Sequence, residues 1–445
     1  MSLSPLDSGL QRKLGPLDAA AIVISNVIGG GIFFVPVIVA QLVPHPAAML
    51  SVWIAGGALS FAGAMAYAEL AAVRPHAGGE YVYLRDGYGP LAAFLTGWTS
   101  FIAGFSGAIA ASAAALAGYV GRFVPIGPAG RSIVALSAIA ALTLVHVRGL
   151  GPGRLVQNVL AVLKVSGIVL LVAAGCAIGG GHAANFSSGG RAAAASWFLA
   201  LVPVMFSYSG WNAAAYVAEE VRDPGRNVPL ALAIGTVAVI VLYVALNALY
   251  IFALPVDRLA ALPAGRLMDT VAEQLFGHAV GDLLAVFTIV SITASISAMI
   301  LAGPRVYFAM ARDGIFVRAA ARVHPRFRTP AASIVAQGIW SGVLVLSGTL
   351  SQLVTYTGFA VVLFAGIAVS AVFVLRRRDL AEAAEPRRRA FSALGYPWAP
   401  AVFVVASAMM VANELWRNPR PTLAGLALIA AGVPVYYAIR RAPPA

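Results

Sequence analysis

The stretch Ser25-Asn26-Val27-Ile28-Gly29-Gly30-Gly31-Ile32-Phe33 decides how this chain folds. It sits inside an apolar run, residues 17–43, that is long enough for a membrane helix, yet it carries three glycines in succession. Each glycine costs a helix about 1 kcal/mol relative to alanine, and Pro36 follows close behind. The helix is therefore expected to break there. A second interruption, Met205-Phe206-Ser207-Tyr208-Ser209-Gly210-Trp211-Asn212, comes about 180 residues later with Pro203 just before it. Small residues that merely let helices pack closely would account for the glycines alone. Two breaks at corresponding places point instead to an inverted repeat whose interrupted helices meet at the middle of a bilayer.

Composition agrees with a lipid solvent. Of 445 residues, 60% are hydrophobic and only 11% are charged, against about 25% charged in soluble domains. Mean hydropathy is +0.86. Spans need about 20 apolar residues each, and twelve such runs are expected, at 17–43, 46–73, 90–121, 131–148, 154–178, 196–220, 228–254, 279–311, 331–349, 352–376, 397–416 and 421–439. Each must be helical, because lipid offers no partner to an unpaired backbone group. The first run follows Arg12 and Lys13, is too long for a signal peptide and leads into further spans, so no cleaved segment is expected.

Charge sets the orientation. With the N-terminus inside, 22 of the 30 lysines and arginines fall on inner segments, seven on outer segments and one within a span. That bias places both termini in the cytoplasm of a multi-pass cell-membrane protein. The same bias explains the net charge of +13 without nucleic acid, since no basic stretch is interleaved with stacking aromatics. The one cysteine, Cys176, excludes an intrachain disulfide. The six histidines show no metal-ligand spacing, and the chain has no HExxH, GxSxG or phosphate-binding loop. No metal or cofactor is expected.

An interrupted helix leaves N–H groups unpaired on one half and carbonyls unpaired on the other. The first attract an anion and the second a cation. A zwitterionic amino acid offers both charges about one bond apart, so two broken helices can hold it without a charged side chain. The N–H groups around Gly30, Gly31 and Ile32 are expected to take the carboxylate. The carbonyls of Val27, Phe206, Ser207 and Ser209 are expected to take the ammonium, with Ile28, Gly29, Gly210, Trp211 and Asn212 completing the site. Glycine allows close approach to the backbone, and no acidic residue stands near either break in sequence to match a cationic side chain.

Lys164 is the sharpest single residue. It sits in mid-span, about ten residues from either end, where a cation costs ~2.5–3.5 kcal/mol or more. Snorkelling from that depth is difficult, so carbonyls or hydroxyls must meet it, and a coupling role is expected. Thr288, Ser291 and Ser295 share one face of the eighth span and are candidate partners, although such hydroxyls often satisfy their own backbone. Glu69, Glu219 and Glu220 lie at the cytosolic ends of spans and read as loop-ordering groups rather than proton carriers.

Several ordered motifs resemble those of the amino acid–polyamine–organocation superfamily, L-amino-acid transporter-like branch. They are Gly29 through Phe33, Tyr67-Ala68-Glu69-Leu70, Gly78-Gly79-Glu80-Tyr81 with Tyr83-Leu84, Phe206 through Asn212, Glu219 through Pro229, and Ala311-Arg312-Asp313-Gly314, spread over about residues 15–380. The resemblance implies a five-plus-five inverted repeat with two further C-terminal helices, and alternating access at the broken first and sixth helices. The expected layout is a cytosolic segment 1–16, a ten-helix transport core 17–376, a basic cytosolic loop 377–396 and two added helices with a short tail, 397–445. Lys164 matches a position where relatives carry lysine in place of a bound sodium ion. Gly30 departs from the serine of many relatives, and Trp211-Asn212 is similar to the neutral amino acid branch.

The expected function is sodium-independent movement of neutral, small L-amino acids, by exchange or alternatively by proton symport. The partners expected are the amino acid and membrane lipid, with no obligate protein partner inferred. A membrane enzyme would need an acid–base or metal cluster within the spans, and an ion channel a ring of like charges. Neither pattern is visible.

Overall fold

The computed structural model describes residues 9–263, 266–277, 280–347, 350–382 and 390–441, the side chains of 350–358, 382 and 441 excepted. Helices dominate, and among the described residues the only bridge outside them joins Leu14 to Val221. Arg387, Arg388 and Arg389, counted above on the inner side, lie outside the described residues.

The first interrupted run folds as α1 (Pro16–Val27), a 3₁₀ turn at Gly31–Phe33 and α2 (Val35–Leu42). The second folds as α9 (Ala194–Tyr208) and α10 (Ala213–Tyr216), followed by a 3₁₀ turn at Ala218–Glu220. Between them run α3 (Pro46–Val73), the short α4 (Glu80–Tyr88), α5 (Pro90–Thr99), α6 (Phe105–Val120), α7 (Pro128–Val147) and α8 (Leu150–Ile178). A π-helical turn at Ser100–Gly104 joins α5 to α6. After the second break come α11 (Pro224–Ala253), α12 (Val256–Ala260), α13 (Leu267–Phe276), α14 (Gly281–Ala302), α15 (Pro304–Arg312), α16 (Ala331–Ser347), α17 (Leu350–Glu382), α18 (Trp398–Arg417), α19 (Pro419–Ala430) and α20 (Gly432–Arg441). Proline opens many of these helices, where its missing N–H would have had no partner anyway.

Among the described residues, nine helical stretches are long and apolar enough to cross a membrane. Three shorter apolar helices, Pro16–Val27, Ala194–Tyr208 and Ala331–Ser347, fall within expected runs. The first two are short because the runs break at Gly29-Gly30-Gly31 and at Gly210; Pro203 does not end its helix, and the second interruption is confined to the last part of the expected stretch 205–212. α1 packs against α8, α11 and α14, which puts the first break at the centre of the bundle. α8 shows how the sequence directs this packing. Gln157, Ala161, Lys164, Ile168, Leu171 and Gly175 recur at helical spacing and are buried. Leu155, Val159, Val162, Leu163 and Leu170 are exposed on the other face, as a helix bordering lipid requires.

Ion pairs gather at the end of the bundle where the arginines cluster. Glu220 and Arg305 form a fully buried two-pronged pair, with Nε–Oε2 at 2.9 Å and Nη2–Oε1 at 3.0 Å. Arg312 pairs with Glu219 at 3.0 Å, and Glu219 also accepts the N–H of Ala77 at 2.9 Å. Arg376 donates to Glu69 through Nε at 2.7 Å. The N-terminal segment is tied to the same place, since Lys13 and Leu14 donate their N–H groups to the Glu220 carbonyl at 2.9 and 3.0 Å. Glu69, Glu219 and Glu220 are thus occupied in holding loops and helix ends together.

Candidate functional site

The two breaks abut. α1 ends at Val27, and Ile28 leaves helical geometry at ψ 82°. α9 ends at Tyr208, and the chain turns through Ser209 (ψ 143°) and Gly210 (φ +102°), the left-handed region that favours glycine. A Cβ on Gly210 would lie 3.1 Å from the Asn26 carbonyl carbon, and one on Gly31 would lie 2.8 Å from Ser207 Oγ and 3.1 Å from Ser207 Cα. Glycine at these positions is what lets one break touch the other. The hydroxyl of Tyr243, from α11, lies 2.9 Å from the Val27 carbonyl and 3.1 Å from the Ser207 carbonyl, and so spans both breaks.

A cavity of about 210 Å³ opens on this junction. Asn26, Val27, Gly29, Gly30 and Gly31 line it from the first break, and Phe206, Ser207, Ser209, Gly210 and Asn212 from the second. The wall facing them carries the hydroxyls of Thr96, Thr99 and Ser100, with Phe105 and Phe364 as apolar bulk. Among the described residues the N–H groups of Gly30 and Gly31 meet no backbone carbonyl. The Asn26 amide nitrogen and Ser207 hydroxyl are buried without a protein partner. Donors and acceptors are therefore available at one junction, which is what a zwitterion needs. The carbonyls expected to hold the ammonium are partly engaged already, since Phe206 accepts the N–H of Ser209 at 3.1 Å and Tyr243 serves Val27 and Ser207. The Phe206 and Ser207 carbonyls each keep a second lone pair for a ligand, whereas the Val27 carbonyl also accepts the N–H of Gly29 at 2.7 Å and has neither free.

Three of the expected residues lie elsewhere. Ile28 and Ile32 are fully buried in the core and outside the cavity wall, so at most their backbone contributes. Trp211 turns away from the junction, edge-on to Tyr67 at 5.0 Å and to Phe403 at 5.5 Å. It lines a separate cavity of about 30 Å³. The left-handed turn at Gly210 redirects the chain, and Gly63 on α3 leaves the space the indole fills, as a Cβ there would sit 2.8 Å from the ring.

Lys164 lies beneath the first break, not in the cavity. Its ammonium donates to the Ser25 carbonyl at 3.2 Å, to the Ile28 carbonyl and to Ser295 Oγ at 2.9 Å. Ser295, on α14, itself donates to the Ile28 carbonyl at 2.9 Å and lines the cavity. The lysine therefore ties α8, the end of α1 and α14 together. Ser291 contributes its carbonyl to Ser295 at 3.2 Å, while its hydroxyl is buried without a partner. Thr288 turns back on its own helix, donating to Leu284 at 2.8 Å.

Glu80 and Tyr216 also line the cavity and were not anticipated. No acidic residue stands near either break in sequence, yet the fold brings Glu80 to the cavity wall. Gly78 and Gly79 (φ +113° and +52°) bring the start of α4 against Tyr216, where a Cβ on Gly79 would sit 2.7 Å from the ring. The Glu80 carboxyl accepts from Tyr67 at 3.1 Å and from Thr96 at 3.2 Å. Burial pushes it above the usual carboxylate range, and the hydroxyls of Tyr67, Thr96 and Tyr216 pull it part of the way back. Among the described residues no group of His, Cys, Asp and Glu is placed to hold a metal.

A family model described as amino acid permease matches residues 14–438. The chain is similar to the serine/threonine exchanger SteT of Bacillus subtilis (strain 168), with 29% identity over 440 residues that cover 98% of each chain. It is 28% identical to the human b(0,+)-type amino acid transporter 1, over 85% of this chain and 79% of that protein. It is also 28% identical to the human large neutral amino acids transporter small subunit 2, over 96% of this chain and 80% of that protein.

Proposed function

The chain belongs to the amino acid permease family, and from that premise we propose that it exchanges small neutral L-amino acids across the cell membrane without sodium. The observation that carries this reading is the junction of the two breaks at one cavity, where free N–H groups of Gly30 and Gly31 and the carbonyls of Phe206 and Ser207 stand together. The carboxylate rests on the first set and the ammonium on the second. The size of the cavity, about 210 Å³, is below the roughly 300–1,000 Å³ of most small-molecule pockets, which favours a short side chain such as that of alanine or serine. Its opposing wall of Thr96, Thr99 and Ser100 suits a small polar one. Glu80 does not argue for a cationic substrate, because hydroxyls of Tyr67 and Thr96 already serve both oxygens of its carboxyl. The relatives named for serine and threonine exchange and for large neutral amino acids lie in the same class.

In this reading the twelve runs are twelve spans, residues 17–376 form the five-plus-five inverted repeat, and 397–445 add two helices. Both termini face the cytoplasm, so the Glu220–Arg305 and Glu219–Arg312 pairs form the cytosolic closure. Lys164 fills the place a sodium ion would take, holding the end of the first break to α14 through the hydrogen bonds of its side-chain nitrogen. The experiment is uptake of labelled serine into proteoliposomes with choline replacing sodium, with and without serine inside. Internal serine should accelerate uptake severalfold. Preference for agmatine or putrescine over alanine and serine would overturn the substrate class, and a requirement for sodium would overturn the role of Lys164.

A further inference from the structure

Five arginines at the end of the bundle that holds the Glu220–Arg305 pair are left without a countercharge. Arg148 caps α7, Arg318 opens a 3₁₀ turn at Arg318–Ala321, Arg322 follows that turn, and Arg326 and Arg328 stand just before α16. All five are exposed. Among the described residues no carboxylate pairs with any of them, although Arg74, Arg85, Arg305, Arg312 and Arg376 at the same end are all paired. The sequence accounts for this, since residues 314–378 contain no Asp or Glu. The loop that carries the charges is fastened at several points. Thr329 donates its hydroxyl to the Val147 carbonyl, beside Arg148, at 3.0 Å, and Ser333 donates to the Ala320 carbonyl at 3.0 Å. His324 donates its N–H to the Thr329 carbonyl at 2.8 Å, and its Nδ1 accepts the N–H groups of Arg326 and Phe327, each at 3.2 Å. Arg328 is held at φ +55°, a region that residues other than glycine rarely adopt. Four of the like charges are thus gathered on one ordered loop, with Arg148 beside it, and nothing in the protein neutralises them.

The charges sit at the head of an apolar face. On α16, Val335, Ile339 and Val343 recur every four residues and are exposed, and the stripe begins one turn into the helix that the loop feeds. On α7, Leu144 is exposed one turn before Arg148. The two helices lie close together, as a Cβ on Gly338 would sit 2.6 Å from Thr143 Oγ1. Val317, next to Arg318, is exposed as well. A ligand for this surface needs an anionic head and long apolar tails. Guanidinium groups suit a phosphodiester, whose oxygens accept paired N–H donors, and basic clusters just outside membrane helices attract anionic headgroups. We propose that this loop is a binding site for an anionic phospholipid, with the phosphodiester held by Arg148, Arg322, Arg326 and Arg328 and the acyl chains lying along α7 and α16. The surface favours lipid over nucleic acid. The loop's one phenyl ring, Phe327, is already stacked on His324 at 4.5 Å and leaves little for a base to stack on. The proposal needs only that the chain spans a membrane, and is independent of which amino acid is carried and of how transport is coupled.

The test uses the full chain in neutral detergent, offered equal amounts of phosphatidylglycerol and phosphatidylcholine, with the lipid retained per protein counted by native mass spectrometry. The wild type should keep phosphatidylglycerol in clear preference. Each arginine near an anionic headgroup is worth about fivefold in binding. Arg322→Gln, Arg326→Gln and Arg328→Gln together should therefore lower phosphatidylglycerol retention at least about tenfold. Arg12→Gln, Lys13→Gln and Arg226→Gln together remove the same charge from exposed residues at the same end, and should change retention by less than about twofold. Size-exclusion profiles show that each variant is folded. If the first triple variant does not fold, Arg322→Gln alone decides, with an expected loss of about fivefold. Soluble glycerol phosphate, added at the concentration of the lipid, should displace none of it. Equal retention of the two lipids, unchanged retention when the loop arginines are replaced, or an equal loss in the control triple would overturn the proposal. So would displacement by glycerol phosphate, which would mark a site for a soluble phosphate, or binding of a short RNA in place of lipid. Retention is read without transport, so a failure of serine exchange would remove the transport reading and leave this one standing.

Discussion

Gly31 is the position at which a single carbon atom tests the junction. A Cβ there would lie 2.8 Å from Ser207 Oγ, 3.1 Å from Ser207 Cα and 3.3 Å from Ser207 Cβ. Unstrained carbon contacts are about 3.5–4.0 Å. The hydroxyl can rotate away, but Cα belongs to the backbone of α9, so the two breaks must separate by roughly half an ångström. Overpacking of this kind costs about 1–3 kcal/mol, and at about 1.4 kcal/mol per tenfold Gly31→Ala should lower transport roughly 5- to 150-fold. Gly31→Val should abolish it. The adjacent Gly30 is the control, because a Cβ there meets nothing within 4 Å. Gly30→Ser should keep at least a third of wild-type transport. The assay is initial-rate serine exchange, normalised to inserted protein, with size-exclusion profiles to show that each variant is folded. Wild-type exchange by Gly31→Val, or equal losses at Gly30 and Gly31, would refute the argument that the two breaks meet at the substrate.

Lys164→Ala removes the tie between α8, the Ser25 and Ile28 carbonyls and Ser295, and should cut turnover at least tenfold, or about 1.4 kcal/mol. Half-saturation should change less, since the ammonium lies outside the cavity; full turnover in this variant would take the lysine out of the mechanism. Glu220→Gln leaves the Arg305 guanidinium buried without its countercharge, which should cost about 3–5 kcal/mol and appear as a clear fall in thermal midpoint. Glu220→Gln combined with Arg305→Met should recover part of that loss, and an additive result would mean the pair is not coupled.

What the sequence made legible is local. Gly29-Gly30-Gly31 and Gly210 mark breaks because glycine acts on the helix that contains it, and the breaks fall where those residues stand, whereas Pro203 lies inside α9, which runs on to Tyr208. Lys164 was legible for a similar reason, as a lysine in mid-span has to find partners, and Ser295 on the face at i, i+3 and i+7 is one of them. The same face misleads at Thr288, which bonds its own backbone. Groups brought in from a distance were not legible. Tyr243 lies 216 residues from Val27 and 36 from Ser207, and nothing in its own apolar helix marks it as the bridge between them. Glu80 sits on a helix too short to span, and it reaches the cavity only because Gly78 and Gly79 allow α4 to start against Tyr216. Trp211 reads as part of the site because it lies within the second interrupted stretch. The turn at Gly210 puts the indole on the far side, where an apolar niche between α3 and α18 holds it.

Counterflow is the most direct measure of the central claim that the joined breaks hold a neutral amino acid and exchange it. Proteoliposomes are loaded with unlabelled alanine, serine, arginine or no amino acid, in choline buffer, and the entry of labelled serine is followed. The account predicts fast entry with alanine or serine inside, little with arginine or none, and no gain when sodium is added. Entry that ignores the internal amino acid, or that needs sodium, would contradict it.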